Sequence, residues 1–250
     1  METFDKIWKV LKKNLLHVGI GVLGKAINVR EIPRGEEALG YTSEKGSICL
    51  NPQHDIVLNL RNEESDMLAA FFLKGVYAHE LMHQCATNFE QEYKMLEKIT
   101  SKYGVRQGEI YHEIFNIVED SAIEYFAPAY FGGDLLKALK FMINRLFRVS
   151  PDIDPKNSPF GQFLTAMIQY GDKGKIKGSF TSKEARNCFM EVIPVFNKIV
   201  LESNGAKRVN MVVEIFKMSR SLWEPEVENE KKLQEIKEMM DQMGSQSEPC

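Results

Sequence analysis

The residues best able to do chemistry are His79, Glu80 and His83, which form the HExxH motif His-Glu-Leu-Met-His. Residues four apart lie on one face of an α-helix, so the two imidazoles can reach a single metal ion. The Glu80 carboxylate follows the first histidine, where it can hold and deprotonate a metal-bound water. The motif therefore predicts a zinc-dependent hydrolase, most simply a peptidase, with Glu80 as general base.

A catalytic zinc needs three protein ligands and one open position, and a second polar pattern downstream supplies candidates for the third ligand. At about 100° per residue, four polar residues fall within an arc of about 80° on one helix. The remaining surface of that helix is apolar nearly all round, which is typical of a buried helix whose carboxylates need partners. The four residues of this polar stripe are Glu113, Asn116, Asp120 and Glu124.

Within this segment, Asp120 is the preferred third ligand, because Glu119 lies about 100° away on the flank of the polar stripe. Glu119 stays open as the alternative ligand, and His112 is a third candidate, although a packed or surface histidine is its more ordinary role. Glu124 would accept the free ring N–H of one histidine and so fix its tautomer. Asn116 would orient Asp120 or contact the substrate.

Together, the segments HELMH and FNIVEDSAIE resemble the zincin-type (HExxH) metallopeptidase domains of bacteria and phages that often precede a von Willebrand A-like domain. In that family the motif helix is followed by a helix carrying Asn, then Asp four residues later, then Asn or Glu four later again. The matching positions here are Asn116, Asp120 and Glu124. The segment GSICLNP also resembles the strand that precedes the motif helix, so the resemblance covers about residues 46–126.

The resemblance implies a Zn²⁺ cofactor and a protein or peptide substrate. By family analogy alone, it also implies a von Willebrand A-like domain or an ATPase as partner. The chain ends at Cys250, before such a domain, so we expect either a stand-alone version of the domain or a fragment ending in its linker.

The order of predicted elements is a helix, a small sheet, the motif helix and further helices, which indicates an α+β, mostly helical, zincin-like fold. Residues 27–60 contain short β-branched or aromatic runs separated by Gly and Pro. They predict a small antiparallel sheet beside a cleft whose floor is the motif helix. The predicted helices are 3–16, Asp66–Cys85, Phe89–Tyr103, Gly108–Phe126 ended by Pro128, Leu135–Phe147, Phe160–Tyr170, Ser182–Leu201 and Arg208–Leu222.

We expect residues 1–225 to form a single metallopeptidase-like domain, with helices from residue 62 onward. Residues 226–250 are charged and Met-rich and predict an exposed helix or linker, followed by a disordered tail from Gly244.

Composition narrows the class of protein further. The chain has 250 residues and a net charge of −3, which argues against a nucleic-acid module. Glu2 and Asp5 stand where a signal peptide would be basic, and the apolar run Leu15–Leu23 is too short to span a bilayer. We therefore expect a cytoplasmic protein without a membrane or nucleic-acid partner. Four cysteines without CxxC spacing predict reduced thiols: Cys49, Cys85, Cys188 and Cys250.

Two other interpretations compete with an active peptidase. One is a catalytically inactive zincin-fold scaffold or adaptor that binds metal without cleaving, and the other is a helical protein in which HExxH occurs by chance. Three tyrosines lie on the two predicted helices, but each is expected to be a core aromatic rather than an oxyanion-stabilising group. They are Tyr77, Tyr111 and Tyr125.

Overall fold

The structure, a computed structural model, describes residues 2–42 and 46–244. These residues form ten helices and a three-stranded sheet, which confirms the mostly helical α+β prediction. In chain order the elements are α1 (Glu2–Leu23), β1 (Asn28–Glu31), β2 (Gly40–Thr42), β3 (Ser47–Leu50), α2 (Asp55–Glu63), α3 (Asp66–Ala86), α4 (Phe89–Tyr103), α5 (Val105–Tyr130), α6 (Gly133–Val149), α7 (Pro159–Lys173), α8 (Lys183–Val200), α9 (Gly205–Met218) and α10 (Arg220–Gly244).

The sheet has the order β1-β3-β2 and is mixed, so the prediction of an antiparallel sheet is wrong for one of its two pairs. β2 runs antiparallel to β3, but β1 runs parallel to it. The crossover between β1 and β2 is held by Asn51, whose amide donates to the carbonyls of Glu36 and Ala38. Apolar alternation shows that a strand exists but not which edge of its neighbour it joins or in which direction. β2 is consequently an edge strand.

The motif helix α3 lies at the centre of one core, between α1, α2, α6 and the sheet. Ser65 caps its start by accepting a hydrogen bond from the Leu68 backbone N–H. Gly75 lets α6 cross closely, since a Cβ there would lie 2.3 Å from the Ala138 carbonyl oxygen. The position of α3 is therefore determined by close helix–helix contact as well as by apolar burial.

Several predicted element bounds need correction. α1 continues past residue 16 through Gly19, because that glycine packs against the Tyr77 hydroxyl of α3 and a Cβ would come within 2.8 Å of it. α5 runs beyond Pro128 to Tyr130, since a proline in the final turn leaves few helical bonds to lose. α2 occupies residues assigned to the sheet, because a nine-residue helix is too short for a clear periodic signal.

The C-terminal part also differs from the prediction. The single helix predicted over 208–222 is two helices, α9 and α10, which meet at Ser219. The expected boundary at 225/226 falls inside α10, and residues 245–250 lie outside the described part of the chain. A second core joins α4, α5, α7, α8 and α9. α5 contributes buried residues to both cores and so brings them together beside α3.

The helices and the thiols agree with two further predictions. Across residues 2–42 and 46–244, no helix combines the length and apolar character needed to cross a bilayer. Cys49, Cys85 and Cys188 are free thiols, as predicted, and Cys250 lies outside the described residues.

Candidate metal centre

Three donor atoms converge where α3 meets α5. The Nε2 atoms of His79 and His83 lie 3.2 Å apart, and Oδ1 of Asp120 lies 3.5 Å from the first and 3.1 Å from the second. The two histidines come from successive turns of α3, and Asp120 faces them from α5. This group could hold a metal ion. The structure thus brings together the two histidines and the preferred acid of the sequence analysis.

Glu124 lies behind His79, where the sequence analysis placed it. Its Oε1 is 3.0 Å from Nδ1 of His79. A carboxylate only accepts hydrogen bonds when ionised, so this contact places a proton on Nδ1 and leaves the Nε2 lone pair directed into the cluster. Carboxylates that hold a ligating histidine in this way orient the ring and raise its basicity.

His83 has a different partner, Thr87, which the sequence analysis did not identify. Nδ1 of His83 lies 3.0 Å from Oγ1 of Thr87, and that hydroxyl donates to Oε1 of Glu119 at 2.7 Å. Because the hydroxyl proton goes to the carboxylate, the hydroxyl must accept the Nδ1–H of His83. The sequence signal for this contact was the four-residue spacing of His83 and Thr87, which places the threonine on the same helix face as the histidine.

Glu119, the alternative ligand, is not part of the cluster. It points to the flank of α5 that faces α9 and forms a buried, two-bond ion pair with Arg208, with N–O distances of 2.8 and 2.5 Å. A step of about 100° around the helix separates it from Asp120, which accounts for the different surroundings of two neighbouring acids. Glu119 as a ligand is therefore wrong.

Glu80 lies on α3 beside the cluster with only 7% of its surface exposed. It accepts a hydrogen bond from the Thr42 backbone N–H of β2. Gly40 makes room for it, since a Cβ at that position would lie 2.6 Å from Val76 and 3.3 Å from Oε1 of Glu80. Burial raises the pKa of Glu80 above its usual value, although the neighbouring His79 and the Thr42 hydrogen bond oppose the shift.

The charges within the cluster are strongly interdependent. Burial alone would lower the pKa of His79, but the carboxylates of Asp120 and Glu124 outweigh it and hold that pKa well above its usual value. Burial alone would raise the pKa of Asp120, but the two facing imidazoles lower it below its usual value. The same His79–Asp120 contact therefore shifts the pKa of the two groups in opposite directions.

The cluster opens into a cleft of about 580 Å³ between β2, α3, α4 and α5. His112 lines this cleft, but it is not a fourth member of the cluster. Its Nδ1 lies 2.9 Å from Glu92, and its Nε2 lies 3.2 Å from the amide nitrogen of Asn116. Asn116 contacts His112 rather than Asp120 among the described residues, and because it lines the cleft its contact with a substrate stays a prediction.

The other candidates lie outside the cluster. Glu113, the first residue of the polar stripe, is solvent-exposed. The hydroxyls of Tyr77 and Tyr111 donate to backbone carbonyls in the core, as predicted. Tyr125 is 56% exposed, so its prediction as a core aromatic is wrong.

Comparison with known proteins yields no assignment: no protein-family model, curated protein or solved structure matches this chain significantly. The function is therefore inferred from the chemistry of the site itself.

Proposed function

We propose that this protein is a zinc-dependent metallopeptidase in which His79, His83 and Asp120 bind Zn²⁺ and Glu80 is the general base. One observation carries the proposal: three metal-binding side chains converge beside a buried carboxylate in the wall of an open cleft. A cleft of that size accommodates a substrate segment, whereas a purely structural zinc site is closed by four protein ligands.

The spacing and type of the donor atoms support zinc. Their separations are 3.2, 3.5 and 3.1 Å. A tetrahedral zinc with bonds of about 2.0–2.1 Å holds neighbouring ligand atoms about 3.3 Å apart, so the three donors already have the spacing that zinc requires. Two imidazoles and one carboxylate are the type of ligand set found in catalytic zinc sites, which keep one position open.

Held by His79, His83 and Asp120, a zinc ion would supply a Lewis acid that lowers the pKa of a water molecule to about 7 and polarises a carbonyl group. Glu80 takes a proton from the attacking water and delivers it to the leaving nitrogen as the carbon–nitrogen bond breaks. The hydrogen bond from Thr42 holds the carboxylate in place for both transfers. Burial brings the pKa of Glu80 closer to neutrality, which suits a group that must accept and then donate a proton.

The edge strand β2 supports a peptide as the substrate. Among residues 2–42 and 46–244, β2 pairs with β3 along one side only, and Gly40, Tyr41 and Thr42 line the cleft. An extended peptide can add to the other side through backbone hydrogen bonds, which recognise any peptide largely without regard to sequence. This arrangement would place a peptide backbone alongside the HExxH helix.

The test compares wild type with Glu80→Gln, which keeps the size of the side chain but removes its basicity. We expect about one equivalent of zinc in both proteins by elemental analysis. Cleavage of casein or a peptide library should fall about 10²- to 10⁴-fold in the variant, the usual contribution of a general base. Glu113→Gln is the matched control, since it changes an exposed carboxylate of α5 and should leave both zinc and cleavage unchanged.

Two results would count against the proposal, and they differ in meaning. Wild-type protein that binds zinc but cleaves no peptide would identify a metal-binding scaffold. Protein that binds no zinc, and whose thermal unfolding does not respond to a chelator, would rule out the metal site itself.

A further inference from the structure

Arg208 of α9 is a fully buried cation, and one of its hydrogen bonds reaches the end of the motif helix. It pairs with Glu119 through Nε and Nη2 at 2.8 and 2.5 Å. Nη2 also donates to the Ala86 carbonyl at 2.9 Å, and Nη1 donates to the Glu202 carbonyl at 2.9 Å. A buried ion pair is weak evidence for a stabilising role, because desolvation opposes the attraction between the charges. The position of the pair therefore calls for another explanation.

The contacts from Arg208 continue, without a break, to the metal cluster. Arg208 holds Glu119, Glu119 accepts the Thr87 hydroxyl proton at 2.7 Å, and Thr87 lies 3.0 Å from Nδ1 of His83. The direction of each hydrogen bond follows from the groups involved, because a guanidinium only donates and a carboxylate only accepts. The Thr87 hydroxyl gives its proton to Glu119, so its oxygen can only accept the ring N–H of His83. We call these four residues the Arg208 relay.

A separate packing contact brings α9 to the same place. A Cβ on Gly205, the first residue of α9, would lie 2.5 Å from the Ala86 carbonyl oxygen and 3.1 Å from the Asn88 backbone nitrogen. The start of α9 thus abuts the end of α3 with no room for a side chain between them. Ala86 receives both this contact and the Arg208 hydrogen bond, so α9 is attached to α3 one turn beyond His83.

We infer that Thr87, Glu119 and Arg208 are positioning residues that hold His83 in its zinc-binding tautomer and orientation, an inference that rests on the proposed zinc site. The two histidines are thus oriented by unlike partners. His79 faces the carboxylate of Glu124 directly. His83 faces a neutral hydroxyl, behind which the Glu119 charge is already neutralised by Arg208. A helix more than 100 residues further along the chain thereby acts on the metal affinity of the HExxH motif.

The decisive variant is Thr87→Val, which has nearly the shape of threonine, lacks the hydroxyl and leaves the Arg208–Glu119 pair intact. Loss of such an outer hydrogen bond weakens metal binding about 10- to 100-fold. We expect this change in the zinc dissociation constant, measured by competition with a chromogenic chelator. The absorption spectrum of the Co²⁺-substituted variant should also shift, because it reports the geometry of the ligands rather than the stability of the fold.

Thr87→Ser is the matched control, since it keeps the hydroxyl and should retain wild-type affinity and spectrum. Thermal unfolding of the metal-free proteins separates an effect on the site from an effect on folding. Thr87→Val with wild-type zinc affinity and an unchanged Co²⁺ spectrum would overturn the relay while leaving the proposed zinc site standing. Wild-type protein without any zinc affinity would overturn both.

Discussion

Glu119 and Asp120 are consecutive acids on α5 that occupy opposite kinds of environment. The Glu119 side chain is 1% exposed and bonded on both oxygens to Arg208. The Asp120 side chain is 44% exposed at the cleft and faces the two histidines. The first acid belongs to a closed ion pair between helices, and the second to an open cluster that a metal and a substrate can approach.

The contrast between Glu119 and Asp120 shows that α5 both packs against other helices and carries a side chain of the candidate metal site. The Glu119 side of α5 joins it to α9, and the Asp120 side joins it to α3. Thr87 connects the two sides, because its hydroxyl touches both Glu119 and His83. Substitutions on the Glu119 side should therefore change mainly protein stability, with a smaller effect on metal affinity through Thr87, whereas substitutions on the Asp120 side should change mainly metal affinity.

The largest effect is expected from Arg208→Met, which leaves the Glu119 carboxylate buried without a partner. Removing one member of a buried pair destabilises a protein by about 3–5 kcal/mol. The measurement is urea unfolding of the metal-free protein, so that zinc does not contribute. The control is the double variant Arg208→Met/Glu119→Leu, which removes both charges and should recover most of the loss. A single variant as stable as wild type would mean that the pair is not desolvated.

A smaller effect, of a different kind, is expected from Asp120→Asn. Loss of a direct ligand should exceed the effect of an outer hydrogen bond, so zinc affinity should fall more than about 100-fold, or about 2.7 kcal/mol. Because Asp120 is partly exposed, the free energy of unfolding of the metal-free protein should change less than in Arg208→Met. A large loss of stability with unchanged zinc affinity would reverse the proposed roles of the two acids.

The smallest expected effect is the change of zinc affinity and of metal-free stability with pH. The pKa of His79 is raised by Asp120 and Glu124, so the metal-free protein holds a proton there that zinc must displace. Zinc affinity should rise about tenfold per pH unit until the pH passes the pKa of folded His79. The raised pKa stabilises the metal-free protein fully below about pH 6.5, and this stabilisation is lost as the pH rises through the folded pKa.

Calorimetric titration with zinc at several pH values, together with urea unfolding of the metal-free protein, measures both trends. Zinc affinity that does not change between about pH 6 and pH 8 would show that no proton is displaced from His79.

The metal cluster could be predicted from the sequence because its geometry is local. The four-residue spacing of His79 and His83 places them on one helix face, and the spacing of Asp120 and Glu124 does the same on the second helix. A polar stripe on an apolar helix also indicates which acid faces a partner. The choice of Asp120 over Glu119 follows from that rotation alone, and the structure agrees with it.

The sheet and the Arg208 relay could not be predicted in this way. Strand pairing depends on which strand edges meet, and the short apolar runs around residues 27–50 do not indicate whether neighbouring strands are parallel or antiparallel. Arg208 lies 89 residues from Glu119, and nothing in its neighbourhood indicates a buried partner. Gly19 indicates a helix end locally, yet it lies inside α1 because its close packing against Tyr77 outweighs local preference.

By itself, the sequence determined the helical character of the chain, the HExxH motif and the polar stripe that contains Asp120, since each depends on residues within about three turns of one helix. Tertiary structure alone decided that α3 and α5 bring His79, His83 and Asp120 within 3.5 Å, that β2 lines the cleft, and that Arg208 is connected to His83 through Glu119 and Thr87. These features depend on contacts between distant segments, whose partners are chosen by shape and burial rather than by any local pattern.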